Sequence, residues 1–241
     1  MFSKERELVD NLQLHQSMFL KGQSGSNFDE IIDEIAKKFN LKVIDISNEI
    51  SSDFIYNFSD SLSISNNKVL LKINLFKLDE NKQNILLKFF EEPSKNLYII
   101  IYGRICIDTL LTRSYVINIP RYYTEDLKQF SSNEKILHYC ETPGQILKIK
   151  DIDKLVDYCK KILTKIGQAP LYNVLNSLNI LNDDELDILL LILNKVCVEE
   201  KVSEDVIKIV QKTSNYIDLM NNKKMFIENM LLNLWRLAKC N

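Results

Sequence analysis

Glycine and proline are scarce in this chain, at five and four of 241 residues. Few positions are therefore free to serve as flexible linkers, and long helices meet few breakers. Whatever domains the chain forms must abut closely. Cysteine is thinly spread as well: Cys106, Cys140, Cys159, Cys197 and Cys240 include no C-x-x-C pair. That spacing excludes a zinc knuckle and a disulfide framework, and it fits a reducing, cytoplasmic interior. Neither sign of charge dominates, with 31 basic against 33 acidic side chains, so the total predicts no autonomous grip on nucleic acid or an anionic membrane. No uncharged run approaches membrane-spanning length, and the opening "MFSKERELVD" lacks the apolar core of a secretory signal. The two histidines, His15 and His138, stand far apart with no Cys or Ser at a catalytic spacing. They are expected to be packing or surface residues, and no metal site is expected.

What the chain has is apolar residue in quantity, 46% of the total, enough for a sizeable core. In residues 1–120 it alternates between two patterns. A helix is expected around 3–14, then "SMFLK" (17–21), a helix at 28–40, "LKVIDI" (41–46), "KVLLKI" (68–73), a helix at 80–92, "NLYIIIYG" (96–103) and "YVINIP" (115–120). Short apolar β-branched runs between helices predict a mainly parallel sheet covered on both faces, an α/β domain. From 121 onward every segment repeats its apolar residues at i, i+3, i+4 and i+7, which predicts helix throughout. Capping residues open several segments: Thr124 with Asp126, Asp151, Asp183 with Asp184, and Ser203 with Glu204. "GQAP" (167–170) is the best boundary within this half. The last segment, "KKMFIENMLLNLWRLAK", carries Trp235 in an apolar stripe that is expected to face a core.

One stretch raises a chemical question. "MFLKGQSGSNFDEI" sets an apolar run, two glycines and a helical pattern in the order strand, phosphate loop, helix. A working loop of the form G-x-x-x-x-G-K-S/T cradles phosphates with backbone N–H groups, reaches them with the Lys and holds Mg²⁺ with the hydroxyl. Aligned on Gly22 and Gly25, the chain offers Asn27 for the last Gly, then Phe28 and Asp29 for the Lys and the Ser or Thr. The cation is lost, and a carboxylate that would repel a triphosphate takes the place of the hydroxyl. Asp29 is better suited to the first turn of the helix that follows.

Two further stretches carry a family resemblance. "KVLLKINLFKLDENKQNILLKFFEEPSKNLYIII" resembles the segment of bacterial clamp-loader ATPases in which a buried strand is followed by a helix ending L-L-K-x-x-E-E-P, here Leu86, Leu87, Lys88, Glu91, Glu92 and Pro93. "TLLTRSYVINI" resembles the family's Ser-Arg-Cys segment, with Thr112, Arg113 and Ser114 at those positions and Thr109 upstream. Altogether residues 15–120 resemble the delta-prime subunits of bacterial-type DNA polymerase III clamp loaders, catalytically degenerate members of the AAA+ superfamily. The four-cysteine zinc module common in that family has no counterpart in residues 41–67.

The resemblance implies an AAA+-like α/β domain at 1–120, a helical lid at 121–165 and a collar-like helical domain at 166–241. It places the Mg²⁺-holding Asp at Ile73, the Glu that activates water at Asn74, and a later Asp at Phe76. Ile has no ligand atom, and Asn cannot accept a proton as a general base. A lid Arg that senses nucleotide corresponds to Gln145. Arg113, by contrast, matches the arginine that reaches the ATP of the adjacent subunit. The implied function is a non-hydrolysing stator subunit of a clamp loader, with no cofactor of its own and with Arg113 as a finger in trans. Its implied partners are ATPase subunits of the gamma/tau type, a delta-like subunit and, within the complex, the sliding clamp and primer-template DNA, with no membrane. Other readings of the same residues are a delta-like clamp-opening subunit, a degenerate AAA+ scaffold outside replication, and an atypical ATPase that uses Lys21 as its cation.

Overall fold

The computed structural model describes residues 1–55, 58, 68–91, 95–166, 168, 170–178, 183–220 and 222–240. Within it the chain divides into two units, Met1–Tyr122 and Tyr123–Asn241. Glu92, Pro93, Gly167 and Ala169 lie outside the described residues, and with them part of the L-L-K-x-x-E-E-P motif and of the "GQAP" break.

The first unit is built on five parallel strands: β1 (Ser17–Lys21), β2 (Lys42–Asp45), β3 (Val69–Asn74), β4 (Leu97–Gly103) and β5 (Tyr115–Asn118), in the order β2-β3-β4-β1-β5. Parallel pairing needs crossovers, and the helices α1 (Ser3–Asn11), α2 (Phe28–Phe39), α3 (Glu80–Ile85), α4 (Leu87–Glu91) and α5 (Asp108–Leu111) lie between or before the strands. The central strands are buried on both faces. Leu70, Leu71, Ile73, Ile99, Ile100 and Ile101 are fully enclosed, and they divide between two core clusters, one with Phe89 and Leu86, the other with Ile31, Ile32 and Ile35 of α2. This is the continuous apolar reading expected of a two-sided sheet.

Several expected elements differ in extent, each for a local reason. The helix expected to reach 14 stops at Asn11, because Lys38 of α2 donates from Nζ to the carbonyls of Val9 (2.8 Å), Asp10 (2.7 Å) and Leu12 (3.0 Å) and so closes its carboxyl end. The helix expected at 80–92 breaks at Leu86 into α3 and α4. Just before the break the fully buried Gln83 of α3 bridges elements with its side chain, donating to the Leu78 carbonyl at 3.1 Å and accepting from the Ile107 amide at 3.1 Å.

The second unit is helical, as expected: α6 (Thr124–Leu127), α7 (Glu134–Tyr139), α8 (Pro143–Lys148), α9 (Ile152–Lys165), α10 (Leu171–Ser177), α11 (Asp183–Glu199), α12 (Glu204–Tyr216) and α13 (Lys223–Cys240). No strand occurs here among the described residues. Residues 124–140 form two helices rather than one, because Asn133 caps a new start by accepting from the amides of Lys135 and Ile136. Asp151 caps α9 through the Lys154 amide at 3.1 Å, whereas α6 begins at Tyr123, whose amide donates to Asp126. One cluster of buried side chains runs from Tyr139 to Leu234, and Leu231 and Leu234 of α13 belong to it with Trp235 packed alongside. The fold class is thus an α/β domain followed by a helical region. Among the described residues no helix is long and apolar enough to cross a membrane.

Candidate functional site

In an open parallel sheet, ligands settle in the crevice beyond the carboxyl ends of the strands, at the point where the strand order reverses. Here that point is β1, which pairs with β4 on one side and β5 on the other, and the loop 22–27 leaves from its carboxyl end. Gly25 takes φ of 84°, the left-handed region that favours glycine. Several amides of the loop and of its junction with α2 are engaged within the chain. Gly22 N–H donates to the Gly103 carbonyl (2.9 Å), Ser26 to Gln23 (3.2 Å), Phe28 to Ser26 (2.8 Å) and Asn27 to the hydroxyl of Tyr122 (3.0 Å).

Phe28, at the position of the phosphate-binding Lys, turns inward. It is 4% exposed, and its ring lies 4.9 Å from that of Tyr102 and 6.0 Å from that of Phe76, centroid to centroid. A Cβ on Gly22 would stand 3.0 Å from the Phe28 ring. An apolar plug therefore fills the space between the loop and the ends of β3 and β4. Tyr102 is held neutral: burial pushes its hydroxyl up, and the carboxylates of Asp29 and Asp45 push it further.

The two positions matched to Mg²⁺ chemistry have structural employment. Ile73 is fully buried in the core of the sheet. Asn74 starts the short 3-10 turn Leu75–Lys77 by accepting from the Phe76 amide at 2.9 Å, while its own amide donates to Ser47 Oγ at 2.8 Å. Asp29 is exposed in the first turn of α2 and pairs with Lys72 of β3 at 2.5 Å; Asp45 stands 3.8 Å from the same ammonium. Burial raises the Asp45 carboxyl, but two hydrogen bonds from Ser47 and the charge of Lys72 outweigh it, so it lies below the ordinary range. Lys21 is exposed at the end of β1. Gln145 is 7% exposed and accepts from the amides of Glu141 (2.8 Å) and Thr142 (3.2 Å), so it serves as a helix cap. Among the described residues no group of His, Cys, Asp and Glu could hold a metal.

Arg113 lies at the opposite edge. It precedes β5, whose first residue, Tyr115, pairs with Met18 near the start of β1. The length of a five-residue strand, about 16 Å at ~3.3 Å per residue, separates that edge from the loop. Its guanidinium donates to the Thr109 carbonyl (2.9 Å) and pairs with Glu91 of α4 (3.3 Å), with 39% of the side chain exposed. The two motifs that the sequence presents separately thus meet in one ion pair. Around it Leu111, Tyr115 and Val116 are exposed, and His15 stacks on Tyr115 at 3.9 Å.

Two residues beside the loop escape sequence reasoning. Glu5, in "SKERE", and Tyr122, in "RYYTE", both reach Asn27. The one local signal was an acid at the third position of a helix. At two cysteines burial works against the reactive thiolate, pushing Cys106 up to about 11 and Cys140 up to about 12.

No protein-family model matches the chain, and none of the curated proteins does. Solved structures similar to it include a DNA polymerase III gamma subunit-related protein of Thermotoga maritima, at 15% identity over 98% of each chain with a TM-score of 0.47. Another is the RuvB Holliday junction branch migration motor of Thermotoga maritima, at 15% identity over 86% of this chain and 78% of that one, with a TM-score of 0.42. Likeness this distant carries no inference about activity.

Proposed function

We propose that this chain is a non-hydrolysing, AAA+-type subunit of a DNA polymerase sliding-clamp loader, delta-prime-like, which offers Arg113 to ATP held by an adjacent subunit. The observation that carries the reading is the division of the sheet between its two edges. At the carboxyl edge the position of the phosphate-binding Lys is occupied by a buried Phe28, and the positions for Mg²⁺ chemistry by Ile73 and Asn74. At the amino edge Arg113, the cation that the resemblance matches to a finger in trans, stands part-exposed and away from its own loop. A cation so placed is open to a nucleotide that another chain brings to it. Such a finger stabilises charge that develops on the transferring phosphoryl group, and it needs no nucleotide of its own. On this reading 1–120 is the stator domain, 121–165 a lid and 166–241 a collar-like domain, with gamma/tau-type ATPases, a delta-like subunit, the clamp and primer-template DNA as partners.

The experiment is reconstitution of the chain with the ATPase subunits of its source, the other hydrolysis sites being silenced. Arg113→Ala is expected to assemble normally and to lower hydrolysis at the adjoining site by on the order of 10³-fold. Hydrolysis that is unchanged sinks the finger role.

A further inference from the structure

A phosphate held by a loop at a helix N-terminus accepts backbone N–H bonds and meets the positive end of the helix dipole. In this chain a buried side-chain pair, Glu5 and Tyr122, engages the last residue of the loop before α2 through that residue's amide and side chain. Glu5 is 1% exposed. Its Oε2 accepts from the Phe2 amide at 2.8 Å and from Asn27 Nδ2 at 3.4 Å, and its Oε1 accepts from the Tyr122 hydroxyl at 2.6 Å. That hydroxyl in turn accepts from the Asn27 amide at 3.0 Å and from the side chain of Ser26. The relay therefore runs from a loop amide through a hydroxyl to a carboxylate, and it ends on a negative charge beside the N-terminus of α2. Tyr122 is held neutral, its hydroxyl pushed up by burial and by the bond to Glu5, so it keeps the proton that the relay requires.

We propose that Glu5 and Tyr122 are a built-in substitute for a bound phosphate, which holds the loop in one state whether or not nucleotide is present. In nucleotide switches a segment is ordered by the terminal phosphate and released when that phosphate leaves. Here the ordering group is covalently part of the chain and never leaves. Residues 5, 27 and 122 come from α1, the loop and the last position of the first unit, so three distant pieces of sequence are bolted at one point. The inference concerns the loop alone and stands apart from the role of Arg113, which a separate assay of a neighbour's hydrolysis decides.

The test is amide hydrogen exchange on the full chain, with and without millimolar inorganic pyrophosphate. In the unaltered protein the segment 22–28 is expected to exchange at the same slow rate in both conditions. Tyr122→Phe and Glu5→Gln are each expected to speed exchange there by about tenfold, the equivalent of one lost hydrogen bond, with far-UV circular dichroism unchanged. The double variant should be no faster than the faster single one, since both remove the same relay. If Glu5→Gln fails to fold, Tyr122→Phe decides alone. Exchange unchanged in Tyr122→Phe overturns the proposal, and so does protection of this segment by pyrophosphate in the unaltered protein.

Discussion

The two edges of the sheet have opposite characters. At the carboxyl edge Phe28, Phe76 and Tyr102 crowd inward, and the amides of Gly22, Ser26, Asn27 and Phe28 find partners inside the chain. At the amino edge Leu111, Arg113, Tyr115 and Val116 face outward. At the carboxyl edge the space beside the loop is thus filled by aromatic side chains whose burial contributes to stability. The amino edge shows the reverse, a part-exposed cation held by the Thr109 carbonyl and by one ion pair to Glu91.

Four changes would break or sharpen this contrast. The largest effect is expected at the open edge in the assembled complex. Arg113→Lys keeps the charge but loses the planar fork, so it should recover little of the hydrolysis lost in Arg113→Ala, and a rate close to the unaltered one would reduce the role to charge alone. Next comes the closed edge: Phe28→Ala should cost about 3 kcal/mol or more through the cavity it leaves, read as a fall in the denaturant midpoint of the first unit. A near-neutral result would show that the plug is not packed.

The third change is smaller. Asn74→Ala removes the cap of the 3-10 turn and should cost about 1 kcal/mol, measured the same way; no loss would free Asn74 for another role. The last concerns pH. The folded carboxyl of Asp45 lies below its ordinary value, so its contribution is present above about pH 4, the unfolded value, and is lost as pH falls through the folded one. Asp45→Asn should therefore be less stable than the unaltered protein at neutral pH, with the gap closing in acid. A gap that widened in acid would reverse the assignment.

Much of the fold was legible because its signals are local. The run Ser17–Lys21 is apolar through its middle and became β1 with the expected bounds, and the apolar stripe of α2 needed only its own period to be seen. What escaped depends on residues distant in sequence. Nothing in "KERELVDNLQL" announces that Lys38 will close that helix at Asn11, and nothing in "TEDLKQFSSNEKILHYC" but a polar cluster marks the new start at Asn133. The candidate site divides in the same way. For Phe28, Asp29, Ile73 and Asn74 the sequence offers residue type, and the resemblance offers position, for the expectation that they do no phosphate chemistry. The neighbours of these residues, Tyr102 from β4 and Tyr122 with Glu5, could not be read at all, since only the folded chain brings them to the loop. The pairing of Arg113 with Glu91 is of this kind too, joining positions 22 residues apart that carry separate motifs.

The first helix ends up clamped by ions of opposite sign, an acid in its opening turn and the Lys38 ammonium across its final carbonyls. Both charges match the polarity of the peptide dipoles along it. The segment is consequently directional, like a bolt threaded one way. A foreign helix grafted in its place would have to present an acid at its third position and three bare carbonyls to α2, or the graft would leave the Tyr122 hydroxyl without its acceptor and the Lys38 cation without a seat.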